Sequence, residues 1–434
     1  MTPPAESAIG HAEHSAAHRS GAENAPSVAS GMSPARIRWA LLALALGGFG
    51  IGATEFVAMG LLPNLARDLL PGLYANAPDD AIGQAGGLVS AYALGVVVGA
   101  PTIAAVAARF PRKKLLLVLV AAFTVGTVLS AVLPSFGLVF AARFVAGLPH
   151  GAYFGVAALV ASSLMGPGKR AQGIALVLSG LTIANVIGVP SITYLGQVTN
   201  WRIAYLAVAA IFAATFVAIA LLVPAQPGDP QATIRRELRA FGRLQVWLAL
   251  LTGAIGFSGF FAVYTYIAPL VTEVAGLGAS TVPLILVVFG VGMTIGNFVG
   301  GWAADRNVIR SIIIFFGIFA VALAGMALTA ATVPGLVFFA LLTGFAGSAV
   351  SPAVQTRLMD VAGDSQTLAA AVNHAALNLG NSLGAFAGGV VISAGFGYTS
   401  PAWVGLILCV PGLAFVGASV ALDRSRARKL AAAS

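Results

Sequence analysis

Apolar residues in this chain neither alternate nor recur along one helical face; they run on for twenty residues or more, and the polar residues collect in short breaks between the runs. A bilayer's hydrocarbon core takes about 20 residues of helix to cross. The first six runs lie at 37–62, 82–107, 113–134, 136–163, 171–195 and 202–223. A polar stretch at 225–244 (AQPGDPQATIRRELRAFGRL) follows, then six more at 245–271, 282–303, 311–332, 335–358, 366–394 and 400–422. The pattern predicts an all-α membrane protein of twelve transmembrane helices in two pseudo-symmetric six-helix bundles. Their expected bounds are 36–224 and 245–423, with a cytoplasmic linker at 225–244 and tails at 1–35 and 424–434. Two repeats of this kind are the layout of a secondary transporter.

Composition agrees and excludes other classes. Of 434 residues, 59% are hydrophobic and 9% charged, with mean hydropathy +0.94, against about 25% charged in a soluble domain. A soluble enzyme is ruled out. The 52 glycines suit helices that pack closely in lipid, where small residues let backbones approach. The single cysteine, Cys409, allows neither an internal disulfide framework nor a thiolate metal site. Residues 1–33 lack the basic start and apolar core of a signal peptide and read as a disordered tail. His11, His14 and His18 lie in that Ala/Ser-rich tail and are read as no metal site.

The net charge of +9 could suggest nucleic acid, but its placement points to topology. Lys and Arg are retained on the cytoplasmic side of a membrane. With both termini cytoplasmic, that side receives 20 of the 23 basic residues; only Arg67 and Arg202 fall outside, and Arg143 falls within a span. The excess also attracts anionic lipid. The first outer loop, 63–81, carries Arg67, Asp68, Asp79 and Asp80 and reads as solvated.

An ionisable group within a span is costly and marks a functional site by default. Glu55, in GATEF (52–56), is the only acid inside a predicted span. It lies seven residues before the outer end of span one, about 10 Å deep at 1.5 Å per residue. Arg143 lies seven residues after the outer start of span four, at the same depth, so the two can meet across a central cavity. Burial favours the neutral carboxyl and a nearby guanidinium the charged one, so movement of Arg143 or arrival of substrate could switch Glu55 between them. The alternative is a static Glu55–Arg143 salt bridge. One proton moving down about 100 mV supplies roughly 2.3 kcal/mol, enough for about a fiftyfold gradient of a neutral solute.

His150, in RFVAGLPHGAYFG (143–155), lies two helical turns beyond Arg143 and could relay a proton or bind substrate; equally, it could be a neutral ring bonded to a backbone carbonyl. His374, Asn378 and Asn381 form a stripe at i, i+4 and i+7 in span eleven, fit for substrate contact or for holding helices together. Tyr264 and Tyr266, in FFAVYTYIAPL (260–270), are candidates for a gate or stacking surface, or for an interfacial belt. In GLTIANVIGVP (180–190), Gly180, Ala184 and Gly188 share a face that another helix can approach; Pro190 can bend the span, and Asn185 is a candidate cavity residue. No phosphate loop with GK[ST], serine elbow, HExxH or paired intramembrane carboxylates occurs, which argues against an ATP-driven pump and an intramembrane enzyme.

Together TEFVAMGLLP in span one, RFVAGLPHGAYFG in span four, NVIGVP followed by GQVTNWR, YTYIAPL in span seven and GGWAADR at 300–306 resemble the major facilitator superfamily. The likeness is to its twelve-span drug:proton antiporter branch, near bacterial arabinose or sugar efflux and chloramphenicol-efflux proteins. It implies alternating access and proton-driven export. Arg143 matches the span-four arginine used in proton coupling. Gly301, Asp305 and Arg306 match a loop signature that stabilises one facing state. The first-half copy of that signature keeps Arg109, Arg112 and Lys113 but has Ala104, Ala108 and Pro111 in place of Gly, Asp and Gly. Gly180, Gly188 and Pro190 match the span-five antiporter motif loosely, with Val189 where that motif has glycine.

The sequence thus reads as a monomeric exporter in a bacterial cytoplasmic membrane. It exchanges protons for a small organic molecule, a sugar or a drug such as chloramphenicol, with the proton gradient as energy source and no cofactor. Glu55 carries the proton, Arg143 modulates it, and His150, Asn185, Tyr264 and Asn378 line the cavity. Its partners are substrate, protons and lipid, not nucleic acid. A proton symporter, a facilitative importer and a non-transporting receptor or scaffold are the alternatives.

Overall fold

In lipid a chain must satisfy its own backbone N–H and C=O groups, which an α-helix does within one segment. The computed structural model describes residues 32–107, 109–165, 169–228, 242–362 and 366–433, and among these it has twelve helices long and apolar enough to span a membrane and no strand. They are α1 (Pro34–Gly60), α2 (Pro78–Ile103), α3 (Arg112–Val132), α4 (Phe136–Met165), α5 (Gln172–Val198) and α6 (Trp201–Leu222). The second six are α7 (Leu244–Thr265), α8 (Ala279–Ala304), α9 (Val308–Thr329), α10 (Val333–Val361), α11 (Val372–Phe396) and α12 (Ser400–Ser425). The tail histidines and most of the polar stretch, residues 229–241, lie outside the described residues.

The packing repeats. In the first six helices α1 packs on α5 and α6, α2 on α4, and α3 on α6; in the second six α7 packs on α11 and α12, α8 on α10, and α9 on α12. The pairs that join the bundles, α2 with α11 and α5 with α8, exchange under the same correspondence. α1 and α7 are central: their apolar windows are 83% buried, against 28% for the lipid-facing α12.

α5 is broken where the sequence predicts, beside Pro190, and α4 where it does not. α4 is interrupted at Leu148–Pro149, between helical segments Phe136–Gly147 and His150–Met165. α5 widens into a π-helical turn at Ala184–Gly188, immediately before Pro190. The Gly180 face forms the expected close contact. A β-carbon on Gly180 would strike the carbonyl of Ala45 in α1, while Gly52 of α1 sits against Ala184 and Gly188 against Phe49.

The segment 63–81 is helical rather than a loop: Arg67, Asp68, Asp79 and most of Pro71–Asn76 are solvated as expected, but one apolar face is buried. Helices Leu62–Leu69, Pro71–Asn76 and Pro78–Ala85 cover the end of the bundle remote from Pro34, and Leu62, Leu65, Ala66 and Leu69 are buried beneath them. Its charges are used for fastening. Asp68 accepts from the Trp201 indole at 3.0 Å and pairs with Arg202 at 2.9 Å.

From mid-span towards this far end the two bundles are in direct contact. Ser90 of α2 donates to the Ser382 carbonyl of α11 at 3.1 Å, Phe56 of α1 stacks on Phe261 of α7, and Gly290 of α8 lies against the backbone of Asn185. Tyr398, between α11 and α12, donates to Asp79 at 2.6 Å. Burial and that carboxylate hold the Tyr398 phenol above the ordinary tyrosine range.

Candidate functional site

Glu55 sits on the part of α1 that faces the other bundle and is 5% exposed. Its Oε1 accepts from Asn381 Nδ2 of α11 at 3.2 Å, and its Oε2 lies 4.0 Å from His150 Nδ1 of α4. That same Nδ1 is 3.2 Å from the hydroxyl of Tyr92 in α2. The His374 ring of α11 is centred 6.3 Å from His150 and stacks on Phe154 at 5.5 Å. A single acid thus meets an amide from the opposite bundle and an imidazole from its own. The break at Leu148–Pro149 places His150 at the start of a new helical segment, beside Glu55.

Arg143 is fully buried at the depth the sequence predicts, but it does not pair with Glu55. Its Nη1 donates to the Thr54 carbonyl at 2.9 Å and to Thr54 Oγ1 at 3.2 Å, and Nε reaches the Leu88 carbonyl at 3.5 Å. The rings of Tyr92 and Tyr205 flank the guanidinium at 4.5 and 5.5 Å. A buried cation needs compensation, and here carbonyl dipoles and two aromatic faces provide it. The cation is therefore bonded to the backbone one residue before the acid. Among the described residues there is no ion pair between Arg143 and Glu55.

Of the other predicted residues, Asn378 and Tyr264 lie in this interior. Asn378 donates to the His374 carbonyl of its own helix at 3.0 Å. Tyr264 is buried, stacked on Phe260 and edge-on to Phe56 and Phe289, so it is no interfacial belt residue. The Oδ1 atoms of Asn378 and Asn381, the Tyr264 hydroxyl and Arg143 Nη2 are buried without a hydrogen-bond partner. Unpaired buried polar groups are costly and need an explanation.

Two predicted cavity residues lie elsewhere. Tyr266 closes the far end, donating to the Ala385 carbonyl at 2.7 Å and packing against Gly86 and Gly389. Asn185 is buried in the π-helical turn facing α8. At the basic end Asp305 is exposed, Arg306 lies over the Trp302 ring at 3.6 Å, and a β-carbon on Gly301 would meet nothing. Lys113 donates to the Ala220 carbonyl at 2.8 Å and Arg112 to Gln226 at 3.3 Å, fastening the start of the polar stretch; Arg109 is exposed. The sequence reading omitted Tyr92, Tyr205 and Phe154, although a tyrosine in mid-span is itself a polar signal.

A sequence model of the Major Facilitator Superfamily matches residues 44–340 and again 276–433. The chain belongs to the major facilitator superfamily. It is 40% identical to the inner membrane transport protein YdhP of Escherichia coli K12, over 88% of this chain and 95% of that one. It is 32% identical to a chloramphenicol resistance protein of Streptomyces lividans, over 85% and 93% of the two chains. The crystal structure of a D-xylose-proton symporter superposes with a TM-score of 0.70 at 18% identity, covering 88% of this chain and 97% of that one, which shows a shared fold. The chain is a multi-pass membrane transporter of small solutes, and its fold and family are those of transporters rather than enzymes.

Proposed function

We propose that this transporter exports a small organic molecule, a sugar or a drug such as chloramphenicol, in exchange for protons across a bacterial cytoplasmic membrane. The observation that carries the reading is the position of Glu55. Among the described residues Glu55 is the only acid away from the span ends, and it touches Asn381 across the bundle interface, so rocking of the bundles must make or break a contact of its carboxyl. Protonating Glu55 removes its charge and weakens the bond from Asn381 while the bundles separate around it; deprotonation restores the stronger, charged acceptor. Alternating access then ties proton uptake to one facing state and release to the other.

Arg143 acts on Glu55 through α1, since it holds the Thr54 backbone and so sets where the carboxyl points. His150, 4.0 Å from Glu55, is placed to pass the proton. The unpaired groups of Asn378, Asn381 and Tyr264, beside the aromatic wall of Phe56, Phe260 and Phe289, fit a cargo with both a ring or apolar face and hydrogen-bonding groups. The bundles touch at the far end, where Gly83 lies against Gly389 and Tyr398 bonds to Asp79, while Asp305 is exposed at the basic end. With both termini cytoplasmic, this conformer is closed to the outside.

The test is reconstitution in liposomes under a pH gradient, recording proton flux on addition of arabinose, a thiogalactoside, chloramphenicol or ethidium. Antiport predicts proton movement opposite to a substrate, lost in Glu55→Gln. Movement in the same direction would establish symport instead. Substrate flux without proton movement would mean facilitated diffusion, and binding without flux a receptor. Normal coupling in Glu55→Gln would refute the role given to this acid.

A further inference from the structure

We propose that the groove between α9 and α12, at the end of the bundle where both helices carry basic residues, is a binding site for one anionic glycerophospholipid. The groove encloses about 840 Å³. Its floor is apolar, formed by Ile313 of α9 and by Leu413, Val416 and Val420 of α12. α12 does not stop at the membrane boundary but continues as one helix to Ala433, carrying Arg424, Arg428 and Lys429 onto the rim. Arg424 and Arg428 are one helical turn apart and share a face. Arg310, at the start of α9, lines the adjoining groove with Arg424 and Asp423.

Charge decides the occupant. Asp423 is the only acid lining either groove, and it is held by Arg357 at 2.5 Å and by Gln245 at 2.9 Å, both pointing into the bundle. The rim therefore carries four cations whose neighbouring acid is already engaged. Chains can lie on the apolar floor while long basic side chains reach outward to a phosphate at headgroup height. An uncharged or zwitterionic lipid would use the floor and leave the cations unanswered. Basic pockets between transmembrane helices suit anionic headgroups for this reason.

The experiment is titration of the purified full-length protein in detergent with phosphatidylglycerol, counted by native mass spectrometry. Phosphatidylcholine and glycerol 3-phosphate serve as comparators. Arg424→Gln/Arg428→Gln/Lys429→Gln should weaken the tightest phosphatidylglycerol site about a hundredfold, at roughly fivefold for each cation. Arg36→Gln/Arg38→Gln/Lys114→Gln removes as much charge from the same end of the bundle and should change it less than threefold. Leu413→Trp/Val420→Trp fills the floor without touching charge and should also weaken binding. Equal losses in the two charge triples would overturn the site in favour of diffuse attraction. An unchanged affinity on filling the floor, equal binding of phosphatidylcholine, or displacement by glycerol 3-phosphate at matching concentration would each overturn it as a lipid groove. The substituted cations are exposed, and gel filtration and circular dichroism verify that each variant is folded.

Discussion

Asn381 Nδ2 lies 3.2 Å from Glu55 Oε1, a hydrogen bond between α11 of one bundle and α1 of the other. No other side chain–side chain hydrogen bond described within the membrane interior joins the two bundles. Its donor also has an unpaired Oδ1. The amide can therefore keep its bond to Glu55 while its oxygen accepts a further hydrogen bond, so a donor arriving there would be coupled to Glu55 through one side chain.

Glu55→Ala and Asn381→Ala, each of which removes one partner of this bond, should accordingly be non-additive. Side-chain hydrogen bonds in membrane bundles average about 0.6 kcal/mol in double-mutant cycles, with a maximum near 1.7. Thermal unfolding of the two single variants and the double in one detergent should give a coupling within that range. Strict additivity would mean the bond contributes nothing to holding the bundles closed.

Arg143 offers a sharper separation of stability from function. Its guanidinium is buried without a carboxylate partner, and one nitrogen is unsatisfied. Burying such a cation carries a desolvation cost that a neutral glutamine does not incur. Arg143→Gln should therefore retain or raise the melting temperature while slowing transport. Losing the charged hydrogen bonds to Thr54 costs about 1.5–3 kcal/mol of positioning, or roughly ten- to a hundredfold in rate. Arg143→Lys should also be slow, because a single ammonium cannot reproduce the planar group that reaches Thr54 with Nη1 and the Leu88 carbonyl with Nε. A lysine variant with full activity would show that charge alone matters.

How much of this was legible in the sequence depends on whether a signal needs a partner. Twelve spans follow from run length alone, and the charge partition needs only counting. Glu55 and Arg143 stood out because lipid excludes them. What Arg143 binds could not be read, since its acceptor is a backbone carbonyl, and every residue has one. The covering helix Leu62–Leu69 was legible but overlooked: Leu62, Leu65, Ala66 and Leu69 recur at i, i+3, i+4 and i+7, the pattern of an amphipathic helix, and Arg67 and Asp68 drew the reading towards solvent. Tyr398 and Asp79, which stand 319 residues apart, meet only through the fold.

The Tyr398–Asp79 bond latches the far end, so Tyr398→Phe should favour the state open there. An exposed hydrogen bond is worth about 1 kcal/mol, which shifts a two-state population about fivefold. The readout is the rate at which a membrane-impermeant maleimide labels Ser90→Cys in a Cys409→Ala background, since Ser90 is sealed between α2 and α11. Because the phenol is held above the ordinary tyrosine value of 10.0, it stays a donor throughout neutral and mildly alkaline solution. The bond contributes below that value and is lost only as pH rises through the raised one. The ratio of labelling rates between variant and parent should thus be the same at pH 7 and pH 9. A ratio that collapses by pH 9 would show the phenol ionising in the ordinary range.

The glycines separate packing from permissiveness. A β-carbon on Gly180 would strike the Ala45 carbonyl, which is backbone and cannot rotate away, so α5 and α1 must move apart. Overpacking of this kind costs about 1–3 kcal/mol, and displacing α5 also disturbs its contact with α8 of the other bundle. Gly317 in α9 is the matched control: it is exposed, and a β-carbon there meets nothing. Gly317→Ala should be neutral or gain up to about 1 kcal/mol from helix propensity, with transport unchanged. Gly180→Ala should lower the melting temperature and the transport rate together. If both variants behaved alike in liposomes and in thermal unfolding, the α1–α5 contact would not be the close-packed joint that its geometry describes.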